Sequence, residues 1–339
     1  MHQSRTFRVA LIVLASAVVA SPVFADAAAL RLRPEQGTTY RYVMTQRQDM
    51  TMAMGALGNQ ESTNTTTMDI RQTAREVVAS GEVTFDVVYD RVRMDVQAGP
   101  RSMTFDSASE TGNTADEMVG LLVGKQLSMT LTERGEVVRV EGLTAVLDEA
   151  LAEQATDPAA APLIEMMRGS FNDESMAVMF QQNSAILPEG PVREGSTWTH
   201  SSVVDNPAIG AMQVTQDYVI AGFEDKLGRP CVRADVKMVM THEGDVPMVA
   251  EMKKMFSQGG QEVDMSVEIG QSDGAGSVWL DRETGMTVAM DTDSTMNMSI
   301  GVVMPGMPAE AGGGAMKMDM AMTMNQTLEL QTETAPATE

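Results

Sequence analysis

The chain of 339 residues has a formal net charge of −23, with 24 Lys and Arg against 47 Asp and Glu. So acidic a surface repels nucleic acid and anionic lipid headgroups, which argues against both as partners. A single cysteine, Cys231, excludes an internal disulfide, so the core must hold the fold, and between Pro230 and Val232 that cysteine reads as a small buried apolar residue.

At the amino terminus His2, Arg5 and Arg8 precede the apolar run ALIVLASAVVASPVFA, which ends at Val23-Phe24-Ala25 with the small-residue pattern of a signal-peptidase site. Residues 1–25 are therefore expected to be a signal peptide, and the mature chain to begin at Asp26. The run is too short and too rich in alanine for a stable membrane anchor. No later window supplies about 18 consecutive apolar residues. The expectation is an exported protein, periplasmic or extracellular, with no integral membrane segment after signal removal.

Period-two alternation dominates the remainder of the chain. Tyr40, Tyr42, Met44, Met50, Met52 and Met54 fall on one side of an extended segment, with Arg41, Thr45, Arg47, Asp49 and Thr51 on the other. Val288, Met290, Met296, Met298 and Ile300 are divided in the same way from Asp291, Asp293, Thr295 and Asn297. Similar strands are predicted near residues 62–79, 82–97, 126–132, 136–141, 196–204, 211–223, 231–242, 261–269 and 276–281. Helices are expected at Thr114 to Val123, in pieces between Thr144 and Gln182, and at Pro247 to Phe256, where Met248, Met252 and Met255 share one face.

These elements recur in matching order. PEQGTTY at Pro34 to Tyr40 parallels VREGSTW at Val192 to Trp198, and LTERGEVVRV from Leu131 parallels LDRETGMTVAM from Leu280. The pattern predicts an internal duplication. The expected fold class is α+β, predominantly antiparallel β, with two duplicated halves of long curved strands and a helical connector packed on the sheets. The halves are placed at residues 26–141 and 188–331, the connector at 142–187, and a disordered tail at 332–339.

Thirty-two methionines, against 4% aromatic residues, form the most unusual feature. Met316, Met318, Met320, Met322 and Met324 alternate in one segment, so an extended chain sets them on one face about 6.5 to 7 Å apart. Gly312-Gly313-Gly314 suggests that this last strand returns antiparallel against Met286 to Ile300, as an edge or penultimate strand. Lys317, Asp319 and Thr323 would then face water. Met296 and Met298 would lie on the neighbouring track, with Met50, Met52 and Met54 as a comparable patch in the first half.

Three uses compete for such a face. Methionine can serve as core filler in an aromatic-poor chain, which also explains Met166, Met167, Met176 and Met179 in helical segments. It can line an adaptable apolar site for a lipid, an acyl chain or a hydrophobic protein segment, because thioethers repack around varied shapes. It can also bind a soft metal such as Cu(I), for which Met238, Met240 and His242 on one strand face are the candidate ligands. The favoured reading is a non-catalytic binding or scaffold protein without cofactor. Copper binding and a purely structural envelope role stand as alternatives. The chain contains no H-E-x-x-H pair, phosphate-binding loop or calcium loop, and its G-x-S-x-G string, GQSDG from Gly270 to Gly274, lies between two predicted strands and not at the strand-to-helix turn of a nucleophile elbow.

The LRLRPEQGTTYRY opening, the MTMAMG strand, LTERGEVVRVEGL, LPEGPVREGSTW and the WLDRETGMTVAMD hairpin resemble an exported bacterial protein family described as a domain of unknown function. The resemblance covers the mature chain. It implies compartment and architecture and transfers no chemistry. At the level of fold, the inferred architecture is also similar to that of the periplasmic lipoprotein carriers.

Overall fold

The computed structural model describes residues 29–53, 58–109, 122–151, 168, 172–183, 185–206, 210–242, 244, 246–247, 249–250, 253, 264–303 and 315–335. The expected signal peptide and Met54 lie outside these residues, as do most of the helices expected at 114–123 and 247–256.

The first half runs through β1 (Thr39–Ala53), β2 (Asn59–Val77), β3 (Val83–Ala98), β4 (Arg101–Asp106), β5 (Gln126–Leu131) and β6 (Val137–Glu141). Helices α1 (Leu143–Leu151) and α2 (Asp173–Asn183) come next, within the segment expected to be the connector. The second half contains β7 (Thr197–Asn206), β8 (Gly210–Lys226), β9 (Arg229–His242), β10 (Asp264–Ile269), β11 (Ser272–Asp281) and β12 (Thr287–Val303), and β13 (Ala315–Thr334) ends the sheet. The fold is thus mainly antiparallel β, as the alternation requires. β4 carries no alternation to announce it, because in RSMTFD only Phe105 is buried.

All thirteen strands belong to one sheet with the order β6-β5-β3-β2-β1-β13-β12-β11-β9-β8-β7, β4 pairing with β3 and β10 with β12. Each half is a meander, and the path β1-β2-β3-β5-β6 recurs as β7-β8-β9-β11-β12. The repetition extends to single hydrogen bonds. Gly37 N–H donates to Ala74 O and Ala74 N–H to Thr38 O, while Gly195 N–H donates to Ile220 O and Ile220 N–H to Ser196 O. The glycine openings PEQGTT and VREGST therefore occupy the same topological position.

One expectation about strand position fails. β13 is neither an edge nor a penultimate strand but the middle of the sheet, paired with β12 on one side and β1 on the other. The physical reason is that β1 and β12, the inner strands of the two meanders, each present an unpaired ladder, and one long strand satisfies both. β13 also continues to Thr334, into the segment expected as a tail, because Thr39, Tyr40 and Arg41 pair with Thr334, Glu333 and Thr332.

The sheet curls strongly without closing, and β6 and β7 end it unpaired with each other. Helix α2 covers the free side of β6, where Gln181 Oε1 accepts the Val137 N–H at 2.6 Å. Segment 29–33 lies between two hairpin turns, Leu32 N–H donating to Glu133 O and Arg33 N–H to Thr284 O. Gly285 at φ +68° permits that approach, since a Cβ there would lie 2.2 Å from Arg31 O.

The core fills the concave side at this end, around Tyr40, Phe85, Leu127, Ile220, Val232 and Leu280. Burial of each such aliphatic or aromatic side chain stabilises by roughly 1.5 to 3 kcal/mol. Among the described residues, no helix is long and apolar enough to cross a membrane.

Candidate ligand cavity

Because β2, β1, β13 and β12 pair in register, their inward side chains line up in rows across the concave face. Nearest the core, Met68, Met44, Leu328 and Met290 form an apolar row. The next row, Thr66, Gln46, Gln326 and Thr292, is polar and uncharged, and Asn64, Gln48, Met324 and Ser294 succeed it. Beyond these come Ser62, Met50, Met322 and Met296, then Gln60, Met52, Met320 and Met298. The concave face is therefore banded, with neutral amides and hydroxyls between the core and an outer methionine field.

The inner rows border a cavity of about 340 Å³, covered by Met176 and Phe180 of α2. Seven methionines line it: Met44, Met68, Met94, Met129, Met176, Met286 and Met290. A smaller cavity of about 120 Å³ adjoins it and shares Ala185, Met290 and Gln326 with it. Gly274 of β11 forms part of the wall of the smaller space, where a Cβ would meet Met238 Cε at 3.1 Å. Among the described residues, neither cavity is lined by Lys, Arg or His, and the only charged residue at either wall is Asp293. The carbonyl oxygen of Asp293 faces Gly274.

Among the described residues, the polar groups inside this wall are poorly partnered. Gln46 Nε2 reaches only Met324 Sδ at 3.0 Å, and Gln326 Nε2 only Met44 Sδ at 3.3 Å. Gln48 likewise donates to Met322 Sδ. A thioether is a weak acceptor, so these donors are held loosely. Asn64 Oδ1 is buried without any partner. Desolvation pushes the phenols of Tyr89 and Tyr218, one at each cavity, up to about 12, and it raises Tyr42 further. The wall disfavours negative charge.

The methionines singled out in the sequence lie mostly beyond the cavities. Met50, Met52, Met296, Met298, Met318, Met320 and Met322 are partly exposed on the outer rows, and Met324 lines the smaller cavity. Met316 pairs with Val302 in β13, and its side chain lies outside the described residues. Lys317, Asp319 and Thr323 face solvent, as the alternation predicts. The larger cavity is lined instead by methionines that alternation alone leaves as core, since the curl of the sheet and the cover by α2 create the space. For Met44 and Met290 the even-sided position is the only signal.

Met238, Met240 and His242 do share one face of β9. The first two line the smaller cavity, whereas His242 lies outside it, opposite Met212, with Nε2 buried and unpartnered. Among the described residues, no group of three or more His, Cys, Asp and Glu could hold a metal ion. Cys231 is fully buried, and desolvation pushes its thiol up to about 11, so it stays protonated and unreactive at neutral pH.

Fold and cavity together define an open, strongly curved antiparallel β protein with a neutral, methionine-lined interior. The chain belongs to the family of unknown function designated DUF6263, whose model matches residues 80–287. No curated protein matches the chain by sequence. Among solved structures, one of lipovitellin, described for its lipid–protein interactions, is similar with a TM-score of 0.45 and 10% identity over 90% of this chain. The chain spans only 26% of the length of that lipovitellin chain. An outer membrane channel from Pseudomonas putida F1 gives a TM-score of 0.23 at 8% identity, covering 88% of this chain and 97% of the channel.

Proposed function

We propose that the protein is an exported, non-catalytic binding protein that takes an apolar small molecule, or an apolar segment of another protein, into the methionine-lined cavity. The single observation that carries this reading is the cavity of about 340 Å³, walled by seven thioethers and roofed by a short helix. Interiors normally pack to crystal-like density, so a space of this size lined by flexible side chains suits an exchangeable occupant better than a structural core. Methionine walls adapt to ligands of varied shape. Export rests on the basic and apolar opening of the sequence.

Binding of an uncharged apolar dye such as Nile red to the purified mature chain tests the proposal. Met68→Trp fills the cavity and should weaken binding at least about ten-fold, while Met52→Trp on the outer rows should leave it unchanged. Equal binding by both variants, or no binding by the wild type, would sink the reading. The buried, unpartnered Nε2 of His242, opposite Met212, favours soft-metal binding as a second reading. Titration with Cu(I) against a chelator checks it, with loss of uptake expected when Met238, Met240 and His242 are replaced together.

A further inference from the structure

Granted that the cavity binds a ligand, the chemistry of its wall restricts what the ligand can be. We infer that the occupant is an uncharged amphiphile, whose head group both donates and accepts hydrogen bonds and sits on the Thr66–Gln46–Gln326–Thr292 row. Long-chain alcohols, fatty amides and monoacylglycerols have this chemistry. Fatty acids and phospholipids do not.

Three observations converge on that assignment. The larger cavity runs from the apolar row to the polar one, with Met44, Met68, Met290 and Leu328 at one level and Gln46, Thr66 and Gln326 at the next. An apolar body and a polar head are both accommodated there. The polar row has capacity to spare: the amide N–H groups of Gln46 and Gln326 are spent on sulfur, and Asn64 Oδ1 one row outward accepts nothing. A hydroxyl or amide satisfies such donors and such an acceptor together, whereas a carboxylate only accepts.

Charge excludes the anionic alternatives. Among the described residues no cation lines either cavity, and the chain as a whole carries a net −23. Five arginines of the first half are engaged on the outer face instead, Arg41 and Arg71 with Asp90, Arg75 with Asp86, Arg91 with Asp106 and Arg93 with Asp95. An ionised head in the cavity would be desolvated without a counter-charge, a penalty that hydrogen bonds from two neutral amides do not offset. Tyr89 and Tyr218 report the same environment, because both phenols are pushed up to about 12 by desolvation.

Competition for Nile red between two probes of equal chain length tests the inference. At pH 8, 1-monooleoylglycerol should displace the dye at a concentration at least about ten-fold lower than oleate does. In the double variant Gln46→Leu/Gln326→Leu, monooleoylglycerol should lose about ten-fold in affinity relative to the dye, which needs no head-group partner. Gln46→Lys should narrow or invert the preference by giving oleate a counter-charge. Oleate binding as tightly as monooleoylglycerol to the wild type would overturn the inference and leave the binding function standing. Absence of dye binding would remove the binding function itself, and this inference with it.

Discussion

Gln46 of β1 and Gln326 of β13 face each other directly across the strand pair, and each donates its amide N–H to a methionine of the other's strand, Met324 and Met44 respectively. The exchange is reciprocal and weak, because sulfur is a poor acceptor. Two amides on the buried side of a central strand pair thus contribute little to the fold beyond volume. Replacing both by leucine removes two loosely satisfied polar groups and puts apolar atoms of similar size in their place. Stability is expected to change by no more than about 1 kcal/mol in urea unfolding. A loss of several kcal/mol would show that the pair holds the sheet together, not a ligand.

Burial separates the methionines into two populations. Met320 is partly exposed on the outer rows, whereas Met129 is 4% exposed within the core cluster. Met320→Asp places a carboxylate where water still reaches it, so it should cost about 1 kcal/mol or less, whereas Met129→Asp buries an unpaired charge and should cost about 4 kcal/mol or unfold the chain. Chemical denaturation of the two variants checks the contrast, and equal losses would mean that the outer field is as tightly packed as the core.

The turn between β8 and β9 contains a strained residue. Leu227 has φ 52° and Gly228 φ 78°, so both central positions of this two-residue hairpin are left-handed. Leucine is disfavoured there, and at 54% exposure its side chain gains little by packing. Leu227→Asn should therefore raise stability by about 1 kcal/mol, read as a higher denaturation midpoint with unchanged slope. A destabilised variant would mean that the leucine makes contacts that outweigh the strain.

Asp281 ties the β11–β12 turn to β9. Burial raises its carboxyl, but hydrogen bonds from the backbone of Thr284, the Arg229 guanidinium and the backbone of Glu283 outweigh that effect and hold it below the usual range. A folded-state value below the unfolded one of about 3.9 means that the contribution is fully present above that pH and is lost as pH falls through the folded value. Asp281→Asn should accordingly be less stable than wild type at pH 7, with the gap shrinking below about pH 4. A gap independent of pH would assign the effect to geometry alone.

Much of this architecture is legible in the residues. Period-two alternation marks which side of each strand is buried, because successive side chains of an extended chain point to opposite faces whatever the strand pairs with. The repeated glycine openings at Gly37 and Gly195 mark equivalent starts, since the chain must make the same turn before each meander. The methionines from Met318 to Met324 turn their even positions inward for the same local reason.

Placement across the sheet is decided only in three dimensions. Which methionines surround a space depends on how far the sheet curls and on where α2 lies, and the outer stripe that is most conspicuous in sequence falls beyond that space. Gln46 and Gln326 share the even-numbered face with methionines and carry no local mark of a role. They become neighbours because β13 crosses the middle of the sheet to pair with β1, a register set by the full length of two strands and not by any short segment. Local alternation determines the side on which a residue lies, and long-range pairing determines its neighbours. A binding site is made of the second relation.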